Sequence, residues 1–296
     1  MSDVPVKLKS TLLSAEIAPL GAELVALRDA KGGDLLFNGD PAYWTGRAPL
    51  LFPIVGRLPG DELVHDGASY PMLQHGFARR RAFTRVSATD DTAVFELKAD
   101  AETRQQYPFA FHLRVTYTLI EATLSITAVV GNPGTVPLPA SFGFHPAFAW
   151  PLPYGGTKAD HRLIFDKPEV EAIHRPVGGL LSTATELNPA VDGVIDLDDD
   201  TLFARDALIF AHVRSHHIRY GVPGEPGLEV DFEGMPQLGL WGKPGAPFVC
   251  IEPWYGHASP EGGGSEFTAK PGLAHIPPGG EKSFAMSVRW LPDIGR

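Results

Sequence analysis

Two neighbouring segments alternate apolar and polar side chains with a period of two. In Leu113-Arg114-Val115-Thr116-Tyr117-Thr118-Leu119 the odd-numbered residues are apolar. In Thr123-Leu124-Ser125-Ile126-Thr127-Ala128-Val129 the even-numbered ones are, with hydroxyls between. Such alternation marks strands with one buried face, because successive strand side chains point to opposite sides. The short gap between the two runs predicts an antiparallel hairpin. The same reading extends to residues 93–98, 227–232 and 283–290, and to a hairpin over 63–70 that turns at Asp66-Gly67, a pair tolerant of positive φ. Helical spacing is scarce: residues 100–106 offer one or two turns and 40–44 a short one. No strand–helix–strand alternation appears, which argues against a parallel doubly wound sheet. The fold class is therefore all-β with few short helices.

Residues 151–156 and 221–227 are rich in Pro and Gly. Strand-like segments continue on both sides without a shift in composition, so these stretches read as long loops. The expectation is a single domain over residues 1–296. Acidic residues outnumber basic ones, 35 to 25, for a net charge of −10. That balance argues against a nucleic-acid partner, whose phosphates need a positive surface, and against a polybasic membrane contact. One cysteine, Cys250, permits no internal disulfide and excludes a zinc site built on cysteines. The start of the chain lacks a basic and apolar leader, and no apolar run approaches the roughly 20 residues of a membrane span. A cytoplasmic protein is expected, as a monomer or a homodimer.

Three polar side chains stand where a charge is costly. Glu252 ends an apolar β-branched run in Cys250-Ile251-Glu252-Pro253-Trp254-Tyr255-Gly256. It is either a partly desolvated base or a structural partner of an arginine. His145 lies in Ser141-Phe142-Gly143-Phe144-His145-Pro146-Ala147-Phe148. It suits proton transfer near neutrality, and suits equally a core imidazole bonded to a carbonyl. His75, in Gln74-His75-Gly76-Phe77-Ala78-Arg79, precedes a glycine that lets a ligand or backbone approach closely. Arg57 is a candidate for ligand hydroxyls or a surface ion pair. Arg79, Arg80 and Arg81 on an extended segment cannot all face one way. His216-His217 would point to opposite faces of a strand, which disfavours a shared metal, and Asp198-Asp199-Asp200 reads as a solvated loop.

These pieces carry a family resemblance. Residues 52–58, 75–79, Tyr107-Pro108-Phe109, 141–148, Asp206-Ala207-Leu208-Ile209-Phe210, Leu240-Trp241-Gly242-Lys243-Pro244 and 250–256 run in family order over most of the chain. Together they make the chain similar to the aldose 1-epimerases (galactose mutarotases), and most of all to their shorter, LacX-like bacterial branch. The resemblance implies a large antiparallel β-supersandwich with a sugar cleft on one sheet. It implies no cofactor and no metal, and a monosaccharide as partner, an aldohexose or its phosphate. His145 would be the general acid and Glu252 the general base. Arg57 and His75 would bind sugar oxygens, and Asp206 or Asp200 would be the acidic binding residue. Longer galactose mutarotases carry an Asn-Arg pair shortly after the Gly-Arg, whereas this chain has Pro59-Gly60-Asp61-Glu62.

The reaction so implied interconverts the α and β anomers of an aldose through an open-chain aldehyde. Three rivals belong to other classes: a non-catalytic sugar-binding protein; a metal enzyme using His75, His145 and Glu252; and a hexose-6-phosphate epimerase whose Arg57, Arg79 or Arg81 clamps phosphate. Trp241, Phe144 and Trp254 could stack on a sugar face, against the simpler role of core aromatics.

Overall fold

The computed structural model describes residues 4–197 and 200–295, with the side chain of Asp200 also outside that set. Two large antiparallel sheets dominate. The first has nine strands in the order Val194–Asp196, Arg162–Phe165, His217–Gly221, Gly227–Asp231, Glu281–Leu291, Thr123–Gly131, His112–Ile120, Thr92–Lys98 and Thr84–Ala88. The second has eight: Leu180–Glu186, Ile173–Val177, Leu208–Phe210, Gln237–Trp241, Phe248–Tyr255, Phe142–Phe144 and Leu50–Leu51 in order, with Ala147–Ala149 also pairing with Phe248–Tyr255. The only α-helix among the described residues is Ala101–Arg104, started by Asp100 and Thr103, each side chain accepting from the other's backbone N–H.

The period-two segments are strands with the predicted faces. Leu113, Val115, Tyr117 and Leu119 are buried and pair with the buried Val130, Ala128, Ile126 and Leu124 of the next strand. The hairpin at 63–70 turns at Asp66 (φ 50°) and Gly67 (φ 76°) and pairs His65 with Ala68. The stretch 221–227 is a hairpin loop, since Gly221 opposes Gly227. The short turn expected at 40–44 is a single hydrogen-bonded turn, in which the Tyr43 and Trp44 amides both reach the Asp40 carbonyl.

The two sheets pack face to face. Phe142 of the eight-stranded sheet stacks on Phe284 of the nine-stranded one at 5.2 Å, and Phe165 meets Phe210 at 5.6 Å. Each such pair adds about 0.5–1.5 kcal/mol beyond the area it buries. Tyr117 and Tyr220 keep their hydroxyls satisfied inside this core by donating to the carbonyls of Ala22 and Ala149.

Candidate functional site

The strand Phe248–Tyr255 is buried on both faces, and alternation divides its labour. Val249 and Ile251 belong to the core between the sheets, while Phe248, Cys250 and Trp254 belong to clusters on the other side. Glu252 shares that second face by parity. Its neighbours follow the same rule. Leu238 and Leu240 enter the core and Trp241 the outer face; Leu208 and Phe210 enter the core and Ile209 the outer face. Phe142 and Phe144 fill the core, which turns Gly143 outward. Gly239 opposes Glu252 across the ladder, and Gly143 opposes Trp254. Both positions need glycine, because a Cβ would lie 2.4 Å from the Trp254 indole at 239 and 2.7 Å at 143.

On this outer face lies a cavity of about 370 Å³, walled by His75, His145, Glu252, Asp206, Arg79 and the indoles of Trp44, Trp241 and Trp254 among others. The sequence placed Glu252 at the end of its strand. It sits instead in the interior, 1% exposed, where the ladder fixes its backbone on both sides. His145 follows the strand Phe142–Phe144 and is 7% exposed. Its Nε2 lies 3.2 Å from Glu252 Oε2. The approach is an ion-pair distance without hydrogen-bond alignment, since Glu252 Oε2 has no hydrogen-bond partner; the other ring nitrogen, His145 Nδ1, is buried without one as well. Trp44 stacks on the imidazole (4.9 Å, 28°), while Trp241 (5.7 Å) and His75 (5.7 Å) meet it edge-on.

Burial governs the charges here. It pushes the Glu252 carboxyl well above the usual range, helped by the charge of Asp206, while Trp254 works weakly the other way. It pushes His145 down to about 3, helped by Arg79. The pair thus holds one proton, on the carboxyl rather than the imidazole, because an apolar setting prefers two neutral groups to two ions. His75 is likewise driven well down by burial, then by His145, Arg79 and Arg80. Its Nδ1 accepts the Gly56 N–H (3.1 Å), which leaves the ring proton on Nε2 as a donor. The cradle of this ring is tight: His75 and Gly76 both have positive φ (65° and 71°), and a Cβ on Gly76 would sit 2.2 Å from the Phe52 carbonyl oxygen.

The arginines divide. Arg57 does not wall the cavity. Its guanidinium grips Asp61 through two bonds (2.6 and 2.5 Å) and donates to the Gly178 carbonyl (3.1 Å). The departure at Pro59-Gly60-Asp61-Glu62 supplies that carboxylate, and Arg57 therefore stands behind the rim, against Gly179. Residues 78–80 form a 3-10 turn and not an extended segment, which fans the three arginines apart. Arg81 binds Asp100 and Glu102, Arg80 donates to the Gly76 carbonyl, and Arg79 lines the cavity. Burial and Arg80 bring the Arg79 guanidinium down to about 10.

Asp206 lines the cavity at φ 69°, its carboxylate accepting the Ala207 amide and its carbonyl accepting from Arg175. Asp198 and Asp199 lie outside the described residues, as does the side chain of Asp200. His216 and His217 part company as expected, the first beside Lys167 and the second beside Glu229. The residues that sequence reasoning passed over are Trp44 and Gln74. An aromatic pair, Tyr43-Trp44, in a Pro- and Gly-bounded loop was the available signal for the first. Phe144 is a core residue at 1% exposure, so of the three aromatics proposed for stacking only Trp241 and Trp254 reach the cavity. Among the described residues, the side chains whose donor atoms converge within 4.8 Å are His145, Cys250 and Glu252, not the His75 set considered for a metal enzyme.

Comparison with known proteins agrees with this geometry. The family model described as aldose 1-epimerase matches residues 6–262. The plasmid-encoded protein LacX of Lactococcus lactis subsp. lactis is 32% identical over 297 residues, covering 96% of this chain and 99% of that protein. A galactose mutarotase related enzyme from Lactobacillus acidophilus superposes with a TM-score of 0.89 at 30% identity, over 97% of each chain. A galactose mutarotase-like protein from Lactobacillus casei gives 0.88 at 27% identity, over 97% of this chain and all (100%) of that one. The chain belongs to the aldose 1-epimerase family, on a galactose mutarotase-like all-β fold.

Proposed function

We propose that this chain is an isomerase that interconverts the α and β anomers of an aldose by general acid–base ring opening, acting as one domain. The observation that carries the reading is the 3.2 Å approach of His145 Nε2 to Glu252 Oε2 on the wall of a sugar-sized cavity with indole sides. Hydroxyls of a bound sugar donate to Glu252 and favour its carboxylate, which moves the shared proton to His145. Glu252 then takes the proton of the C1 hydroxyl while His145 gives one to the ring oxygen. The C1–O5 bond breaks, C1 becomes an aldehyde, rotation about C1–C2 presents its other face, and the two transfers reverse. His75, through Nε2–H, and Arg79 stabilise charge developing on oxygen, the contribution usually largest in such sites. Asp206 accepts from a sugar hydroxyl, and Trp241 and Trp254 cover apolar sugar faces.

Polarimetry on freshly dissolved α-D-glucose and α-D-galactose tests the reading. Acceleration by the wild-type chain, lost in Glu252→Gln and His145→Asn, is the expected result. Sugar binding without acceleration would make it a carbohydrate-binding protein instead.

One observation favours a second reading, an epimerase of hexose 6-phosphates. Arg79 donates to the Gln74 carbonyl (3.2 Å), and the nearby Glu23 is occupied by the amides of Arg47 and Ala48. Arg57 and Arg81, the other clamps considered, are held by carboxylates. Relative rates on glucose and glucose 6-phosphate decide between the two, with Arg79→Gln lowering the phosphate rate far more than the glucose rate if the second holds.

A further inference from the structure

The acid–base scheme uses His145 and Glu252 but leaves a third group beside them without a task. Cys250 and Glu252 are two apart on one strand and so share a face, and His145 enters next to them. One donor atom of each, an imidazole nitrogen, a thiol sulfur and a carboxylate oxygen, lies within 4.8 Å of the others. The three residues are 7%, 0% and 1% exposed in the order His145, Cys250, Glu252. Glu252 Oε2 is buried with no hydrogen-bond partner, an arrangement that costs free energy and that a cation held between it and His145 Nε2 would relieve.

We infer that His145, Cys250 and Glu252 form an inhibitory site for a borderline-soft divalent cation of the zinc class, its fourth position facing the sugar cavity. The donor set is one nitrogen, one sulfur and one oxygen, which suits Zn²⁺ and not Mg²⁺ or Ca²⁺, ions that ask for several oxygens. Zinc bonds of about 2.0–2.3 Å in a tetrahedron hold their donors roughly 3.5 Å apart. The His145–Glu252 pair already stands at 3.2 Å, so only a small inward move of the sulfur is required. Phe37 and Phe248 pack around Cys250, and Trp44 and Trp241 lie against them, an apolar shell that restricts water at the site.

Binding is a proton exchange: the Cys250 S–H bond breaks, sulfur takes the cation, and the proton leaves to solvent together with the one the acid–base pair holds. The cation then occupies the lone pairs that Glu252 and His145 need for the C1 and ring-oxygen protons. Metal and sugar compete, and epimerisation stops. The inhibition rests on the proposed function; the binding does not.

The test titrates the full chain with Co²⁺ and Zn²⁺. We expect one ion per chain, and with Co²⁺ a thiolate-to-cobalt charge-transfer absorption that is absent in Cys250→Ser and Cys250→Ala, both with unchanged circular dichroism. No such band in the wild type, or its survival in both variants, overturns the site. In the polarimetric assay Zn²⁺ should slow the wild type at least tenfold, with reversal by a chelator, and leave Cys250→Ser active. A band without any loss of rate overturns the inhibitory role. No anomerisation in metal-free protein refutes the epimerase reading while the cobalt band still decides the site.

Discussion

A carboxyl and an imidazole in contact, both sealed among aromatic rings, behave unlike either group in water. Glu252 is harder to ionise than an ordinary glutamate and His145 harder to protonate than an ordinary histidine. Glu252 is thereby the stronger base once deprotonated and His145 the stronger acid once protonated, which suits a site that must take and return protons near neutrality. Removing either group should lower the anomerisation rate by about 10²–10⁴-fold, as for other positioned acids and bases, with the fold kept. Glu252→Gln and His145→Asn measured by polarimetry check this, and wild-type rates in both would dismiss the assignment. The pH profile gives a second handle. The acid limb of kcat/KM should lie above the ordinary glutamate value of about 4.3, because Glu252 is raised by burial and by Asp206. Asp206→Asn removes that negative charge and should shift the limb to lower pH while raising KM. An unmoved limb would show that Asp206 does not act on Glu252.

Strand parity explains why sequence reasoning found these residues and what it lost at the level of elements. The run ahead of Glu252 was legible as a buried strand. Its continuation through Tyr255 was not, because a strand buried on both faces has no polar alternation to mark its course. The same loss of pattern hid the role of Gly143 and Gly239, which are small so that Trp254 can lie across the sheet. The segment 75–80 shows a different failure. Three arginines in a row looked extended, whereas the positive φ of His75 and Gly76 folds the chain into a turn that sends Arg79 to the cavity and Arg81 to Asp100 and Glu102. Gly76→Ala should therefore cost stability on the order of 1–3 kcal/mol or more, and should displace His75, raising KM. Denaturant unfolding together with sugar titration checks both effects. A variant as stable as the parent would mean that the Phe52 carbonyl moves aside at little cost. Arg57 acts at this level too. Tied to Asp61 and the Gly178 carbonyl, it holds a loop on the cavity rim, so Arg57→Ala should weaken sugar binding more than it slows the bound reaction. A purely kcat effect would place Arg57 on the substrate after all.

For the whole molecule, burial of neutral imidazoles links folding to pH. His75, His145, His161 and His257 are all lowered by burial, His145 to about 3. Unfolded, each would titrate near 6.5. A depressed native pKa gives stability that is complete above the unfolded value and is lost as pH falls toward the native one, since only the unfolded chain takes up the protons. The melting temperature should fall steadily from about pH 6.5 downward, and His145→Asn should flatten part of that slope. An equal slope in the variant would mean that His145 is not held neutral in the fold. The raised carboxyl of Glu252 works in reverse: its share of stability is present at low pH and is lost as pH rises through its native pKa, so Glu252→Gln should gain on the wild type in alkaline buffer. No helix among the described residues is long and apolar enough to cross a membrane. What the sequence determined by itself was the strand content, the hairpins and the residue types capable of the chemistry. Those depend on neighbours a few positions apart, and a period of two or an Asp-Gly turn is written locally. Which of the two faces of each strand meets the opposite sheet, whether Arg57 or Arg79 reaches the cavity, and that His145 meets Glu252 were settled only by tertiary packing. Such contacts join side chains separated by a hundred residues or more, and their energy comes from a shared burial that no single segment encodes.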